Sequence, residues 1–206
     1  MPEARKDPTA RRLGPLAGVA VPERREVAGR IGVTLSVPAP VSLVGLEARR
    51  GRAVELTRRL AEAYGTVPEP RRAAGEAVTL LHVAPDTFLV LAEAHEEGAL
   101  AAELRALVGA TASVVDQSHG RTLIRLAGAD ARELLAYGTG LDVSPAAFGP
   151  GACAATLLGH IAATLHLRSS APEVDILVSR AFAESLWHWL LGRARRFGYE
   201  VAAGKS

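Results

Sequence analysis

Aromatic side chains are scarce in this chain, at 4 % of 206 residues, and cysteine occurs once, at Cys153. A single cysteine excludes an internal disulfide and any multi-cysteine zinc or iron–sulfur site, and it gives no sign of an oxidising compartment, so the cytoplasm is the expected location. Few aromatics, together with a net charge of only +2, argue against nucleic acid, whose binders present a basic face and stacking rings. The excess of positive charge is also misplaced for that role. Residues 1–30 carry seven Arg/Lys against four Asp/Glu, while the remainder is close to balance with 17 basic and 18 acidic residues. Long apolar runs are missing as well: charge or glycine interrupts each one well short of the ~18 residues of a membrane span. Arg11-Arg12 followed by the run 13–21 resembles an export signal, but Pro15 and the charged stretch Pro22-Glu23-Arg24-Arg25-Glu26 break it. Residues 1–30 are therefore read as a basic, flexible or partner-docking arm, and 31–206 as one unit.

What is present is a hydrophobic share of 49 %, enough for a substantial core, arranged in alternating periodicities. Residues 42–47 predict a strand. Residues 52–64 predict a helix with Ala53, Leu56, Leu60 and Tyr64 inward and Gly65 as its stop. Pro68 and Pro70 mark a loop, and 77–83 with 87–91 form a hairpin around Ala84-Pro85-Asp86. A helix over 96–108, with Leu100, Leu104, Leu107 and Val108 inward, precedes a strand over 111–115. This β-α-β-β-α-β order is the split unit of a ferredoxin-like fold. The second half nearly repeats it: a strand over 121–126, a short helix over 130–136, strands over 152–158, 161–167 and 173–178, and a long helix over 180–197. No Ser- or Gly-rich linker separates the two parts. The expected class is α+β, with two interleaved ferredoxin-like halves (about 41–116 and 117–200) whose antiparallel sheets carry helices on one face.

The last helix has an unusually wide apolar arc. At ~100° per residue, Phe182, Leu186, Trp189, Leu190 and Phe197 fall on one side, and Ala183, Trp187, Leu191 and Ala194 widen it beyond the stripe one core contact requires. Burial between the halves and contact with another subunit both account for that width.

Chemistry is suggested first by Asp116-Gln117-Ser118-His119-Gly120-Arg121-Thr122, a polar island between apolar strands. Its residue types are those of a hydrolase triad, but neighbours on an extended chain point to opposite faces, and no nucleophile-elbow pattern surrounds Ser118. A structural turn is the better reading: Asp116 and Ser118 bonded to nearby amides, Gly120 in a conformation other residues resist, and His119 partly buried. No catalytic residue is assigned. Metal binding is not supported, because His160 and His166 lie ~20 Å apart on an extended stretch at ~3.3 Å per residue, and neither has an adjacent Asp, Glu or Cys. His82, His95 and His188 have no ligand-spaced partner either. No Gly-x-Gly-x-x-Gly follows a strand, and Gly149-Pro150-Gly151 lacks the lysine of a phosphate loop. Cys153, in an apolar strand, reads as a buried thiol.

The island, continued through Leu126-Ala127-Gly128-Ala129-Asp130-Ala131-Arg132, resembles the gamma-subunit family of heterotetrameric sarcosine oxidases. Pro145-Ala146-Ala147-Phe148, Thr156-Leu157-Leu158-Gly159-His160, Phe182-Ala183-Glu184-Ser185-Leu186-Trp187 and Arg11-Arg12 with Pro15-Leu16-Ala17 carry the same resemblance, weakest over residues 50–75. The Asp-x-Ser-His stretch followed by Gly-x-Asp-Ala is also similar to the folate-binding aminomethyltransferase of the glycine cleavage system, which implies a shared fold. That transferase follows a strand with Gly-Gly and an aspartate of its folate site; Gly159-His160-Ile161-Ala162-Ala163 has no carboxylate there. The resemblance implies a subunit that holds a complex together, with alpha, beta and delta partners. FAD, FMN, NAD and tetrahydrofolate would sit on the larger partners, zinc on the smallest, and no cofactor on this chain. Leu16, Arg121, Arg125, Phe182, Trp187 and Leu191 are the expected partner contacts. An equivalent subunit of an N-methylglutamate or other secondary-amine dehydrogenase, and a stand-alone folate-binding aminomethyltransferase-like protein, are the alternative readings.

Overall fold

Alternation within the strands divides their side chains between two destinations, and that division organises the structure, a computed structural model describing residues 14–93 and 96–202. The twin-arginine motif Arg11-Arg12 and His95 lie outside the described residues. In chain order the elements are β1 (Glu23–Arg25), β2 (Val33–Ser36), β3 (Val41–Ala48), α1 (Ala53–Tyr64), β4 (Ala73–Ala74), β5 (Val78–Ala84), β6 (Thr87–Glu93) and α2 (Ala99–Val108). Then come β7 (Ala112–Asp116), β8 (Arg121–Ala127), α3 (Ala131–Ala136), β9 (Cys153–Leu158), β10 (Ile161–Ser169), β11 (Glu173–Ser179), α4 (Ala183–Ala194) and β12 (Tyr199–Val201).

The first unit has the predicted order. Its strands lie β4-β5-β6-β3-β7, so the first, second, third and fourth strands of the split unit occupy the ferredoxin-like positions, with β4 as a short addition. Leu56 and Leu60 of α1 and Leu100, Leu104 and Val108 of α2 are buried against Val44, Leu46, Leu80, Phe88 and Val90 on one face of this sheet. Gly65 ends α1 in the left-handed region at φ 72°, where its N–H reaches the Ala61 carbonyl.

The second sheet is larger, with order β1-β12-β2-β8-β11-β10-β9. It departs from a plain repeat because β2 lies between β8 and β12, antiparallel to the former and parallel to the latter. The segment before β3 therefore belongs to the second half, and this is how the halves interleave. Over its described part, the arm expected to be flexible or partner-docking packs within the chain: β1 pairs with β12, and Leu16 is 2 % exposed within the second core. Its apolar run is short for a membrane but suits one turn laid across a sheet. No helix among the described residues is long and apolar enough to cross a membrane.

Ile124, Leu126, Leu165, Leu167, Val174 and Ile176 face α3 and α4. Their alternate neighbours Leu123, Leu177 and Cys153 meet Leu43, Leu81, Leu89 and Leu91 of the other sheet. The two sheets thus stack on each other, each covered by helices on its outer face.

That packing also absorbs most of the wide arc of α4. Trp187, Leu186, Leu190, Ala183 and Ala194 are buried in the second core. Trp189 lies across Gly138 and Gly159; a Cβ on Gly159 would come within 2.7 Å of its ring, and Gly159 itself has φ 57°. Trp187 is accordingly a core residue and not a surface contact, Leu191 is half-buried, and Phe182 at the start of the helix remains 55 % exposed.

Candidate functional site

Residues 116–122 connect the two sheets, because β7 is the edge of the first and β8 lies inside the second. The Asp116 carboxylate accepts the Ser118 amide at 2.9 Å, an Asx turn. Burial works against its charge, but the hydrogen bonds from Ser118 outweigh it and hold the carboxyl below the usual aspartate range. Ser118 Oγ accepts the Leu43 amide at 2.9 Å, and Gln117 N–H donates to the Leu43 carbonyl at 2.8 Å, so the island extends the pairing of β7 along β3 after the strand ends. The Gln117 side chain occupies the space over Gly45 where any Cβ would collide with it.

Two details of the expected turn are corrected. Gly120 lacks a positive φ, and a Cβ there would stand 3.7 Å from its nearest neighbour, so no strain requires glycine. His119 is exposed rather than packed, with Nε2 3.1 Å from Glu97 Oε1. Ser118 Oγ thus lies against β3, while His119 reaches Glu97.

Arg121 begins β8 and lines two cavities. One, about 500 Å³, is walled by residues 14–20, by 37–43 and by the start of β8, with Leu177 and Arg180 opposite. The other, about 430 Å³, lies between the turn and the small side chains Ala155, Ala162 and Thr164. Burial pushes the Arg121 guanidinium below its usual range, and among the described residues no carboxylate pairs with it. Beside it Thr122 Oγ1 is buried with no hydrogen-bond partner among the described residues. Ala162 and Ala163 also line the second cavity and bring no charge to that wall.

Arg125 is differently placed. Arg125, Asp175, His166 and Cys153 stand directly opposite one another across β8, β11, β10 and β9. Asp175 is buried and takes Arg125 Nε at 2.7 Å and Nη2 at 3.2 Å, a two-pronged pair, with Arg168 Nη1 at 3.4 Å. Burial opposes the Arg125 charge, yet Asp175 and Glu173 raise its pKa. The guanidinium expected to meet a partner is thus committed within the chain. Burial lowers His166 against the pull of Asp175 and pushes the Cys153 thiol up to about 11. The strand pairing that builds this row could have been sought in the sequence as matching parity of Arg125, Asp175 and His166, but register is set by tertiary packing. Among the described residues no three His, Cys, Asp or Glu side chains are grouped to hold a metal.

The sequence model of the "Sarcosine oxidase, gamma subunit family" matches residues 66–195, well over half of the chain. The chain belongs to that family. Among solved structures, it is similar to a chain of the heterotetrameric sarcosine oxidase from Corynebacterium sp. U-96, a complex with pyrrole 2-carboxylate. The identity is 29 %, the TM-score 0.77, and the match covers 95 % of this gamma-family chain and 99 % of the other. The glycine cleavage system aminomethyltransferase T from Bartonella henselae shares the fold at 18 % identity and TM-score 0.64, over 88 % of this chain and 57 % of that one. No curated protein sequence gives a significant match.

Proposed function

We propose that this gamma-family chain is an assembly subunit of a heterotetrameric, flavin-dependent oxidase that demethylates sarcosine to glycine, and that it supplies no catalytic group itself. The observation that carries this reading is the end-to-end correspondence with one whole chain of a heterotetrameric sarcosine oxidase. The side chains with catalytic chemistry are consistent with it: those of the island are tied into the β3 junction or turned to Glu97, and Cys153 is buried with its thiol protonated. In this reading alpha, beta and delta chains complete the complex. FAD, FMN, NAD and tetrahydrofolate belong to the larger partners and zinc to the smallest. The surface offered to them includes Phe182, whose ring is exposed at the start of α4. Leu16 and Trp187 act indirectly, by holding that surface in shape.

Co-expression with the other three chains tests the proposal. A stoichiometric four-chain complex that reduces its flavin with sarcosine is expected, with turnover per flavin unchanged in His119→Ala and assembly weakened in Phe182→Glu. Failure of the chain to co-purify, or loss of turnover in a fully assembled His119→Ala complex, would overturn it.

A further inference from the structure

The pairing of β2 with β8 stops at Ser36 opposite Arg125, although β8 continues to Arg121. The chain that leaves β2 is Val37-Pro38-Ala39-Pro40, and proline lacks the N–H needed to prolong the ladder. The departure of those residues from β8 opens the cavity of about 500 Å³. Its walls are mainly apolar, with Leu16, Val37, Pro38, Pro40, Leu43 and Leu177 among them, and its volume falls within the ~300–1,000 Å³ range of small-molecule sites.

One wall holds a charge that no carboxylate among the described residues compensates. Arg121 is half-buried, and the carboxylate nearest in sequence, Asp116, has its electrostatic partners in His119 and Arg105. A half-buried guanidinium without a counter-ion is costly unless a ligand supplies one, and its planar fork suits a carboxylate. Thr122 in the same wall has a hydroxyl with no hydrogen-bond partner among the described residues. Pro38 and Pro40 cannot donate backbone hydrogen bonds, so that side of the cavity does not support addition of a peptide strand and favours a ligand held by side chains.

We propose that this cavity binds a small, mostly apolar organic carboxylate, with its carboxylate paired to Arg121 and its hydrocarbon body against the Leu16, Pro38 and Leu177 walls. The proposal rests on this chain's own residues and does not depend on the assembly reading. Calorimetric titration of the full chain with octanoate, and with octanamide as its neutral counterpart, tests it. Octanoate is expected to saturate one site. Arg121→Gln is expected to weaken it at least tenfold, and octanamide to bind the wild-type chain at least tenfold more weakly than octanoate. A thermal melt separates binding from folding: Arg121→Leu is expected to leave the midpoint unchanged or raised, since it removes an unpaired charge. Absence of saturable octanoate binding, equal binding by Arg121→Gln or octanamide, or a midpoint lowered by several degrees in Arg121→Leu would each overturn the proposal.

Discussion

Replacing Asp175 by asparagine keeps the shape of the side chain and removes its charge, leaving Arg125 without the carboxylate that it grips through two nitrogens. Breaking a buried ion pair by removing one partner costs about 3–5 kcal/mol. Here the Arg125 side chain is 26 % exposed and keeps Glu173 at 3.5 Å, so solvent and a second carboxylate recover part of the loss. A cost of about 2–3 kcal/mol is the working figure. In a chain of this size each kcal/mol moves the unfolding midpoint by roughly 2–4 °C, which predicts a fall of about 5–10 °C for Asp175→Asn. The double variant Arg125→Met/Asp175→Leu removes both charges and should recover most of it, because buried pairs are often no more stabilising than well-packed hydrophobes. Circular-dichroism melts of the full chain read both. A shift below about 2 °C in Asp175→Asn would refute the account, and so would a double variant as unstable as the single one. Co-purification adds a second decision. If the double variant melts normally yet loses its partners, Arg125 makes an intersubunit contact despite its intrachain pairing.

Leu16→Ala truncates a side chain 2 % exposed in the second core and should cost about 3 kcal/mol in a chemical-denaturation curve, whereas a free arm would register nothing. His166 titrates below its unfolded value because it is buried, so its contribution to stability is fully present above the unfolded pKa near 6.5 and is lost as pH falls through the depressed folded value. Melts of wild type and His166→Gln between pH 7.5 and about 5 should therefore converge as the pH falls, and parallel curves would exclude His166 as the cause. Cys153, with its thiol pushed up to about 11, should be labelled by Ellman's reagent at pH 8 at least a hundredfold more slowly in the native chain than in guanidinium. Comparable rates would mean that β9 opens readily at the sheet junction.

Local periodicity was sufficient for the first unit, where Leu56 and Leu60, and Leu100, Leu104 and Val108, recur at helical spacing and are buried as expected. It was insufficient wherever a residue's meaning depends on strand register or on a distant segment. Trp187 and Leu191 are both part of a wide apolar arc in sequence; only packing against the second sheet makes Trp187 core, while Trp189 is placed by the gap that Gly138 and Gly159 leave for its ring. The segment over residues 14–30 hides its packing for the same reason. A short apolar run before the charged stretch Glu23-Arg24-Arg25-Glu26 gives no local sign that β1 will pair with β12 near the other end of the chain.

The polar island shows how far the two kinds of information can diverge. Its residue types were visible, but their use was decided by Leu43, 75 residues before Ser118, whose amide Ser118 receives. That contact makes the island a continuation of β7 and delivers Arg121 to the start of β8 at the point where Pro38 and Pro40 draw the preceding segment away. The same geometry engages Asp116 and Ser118 in backbone contacts and leaves Arg121 facing open volume, with no carboxylate among the described residues paired to it. If the junction has a role beyond holding the sheets together, the chemistry its open volume offers is recognition of an anion by Arg121, since Asp116 accepts the Ser118 amide and His119 reaches Glu97.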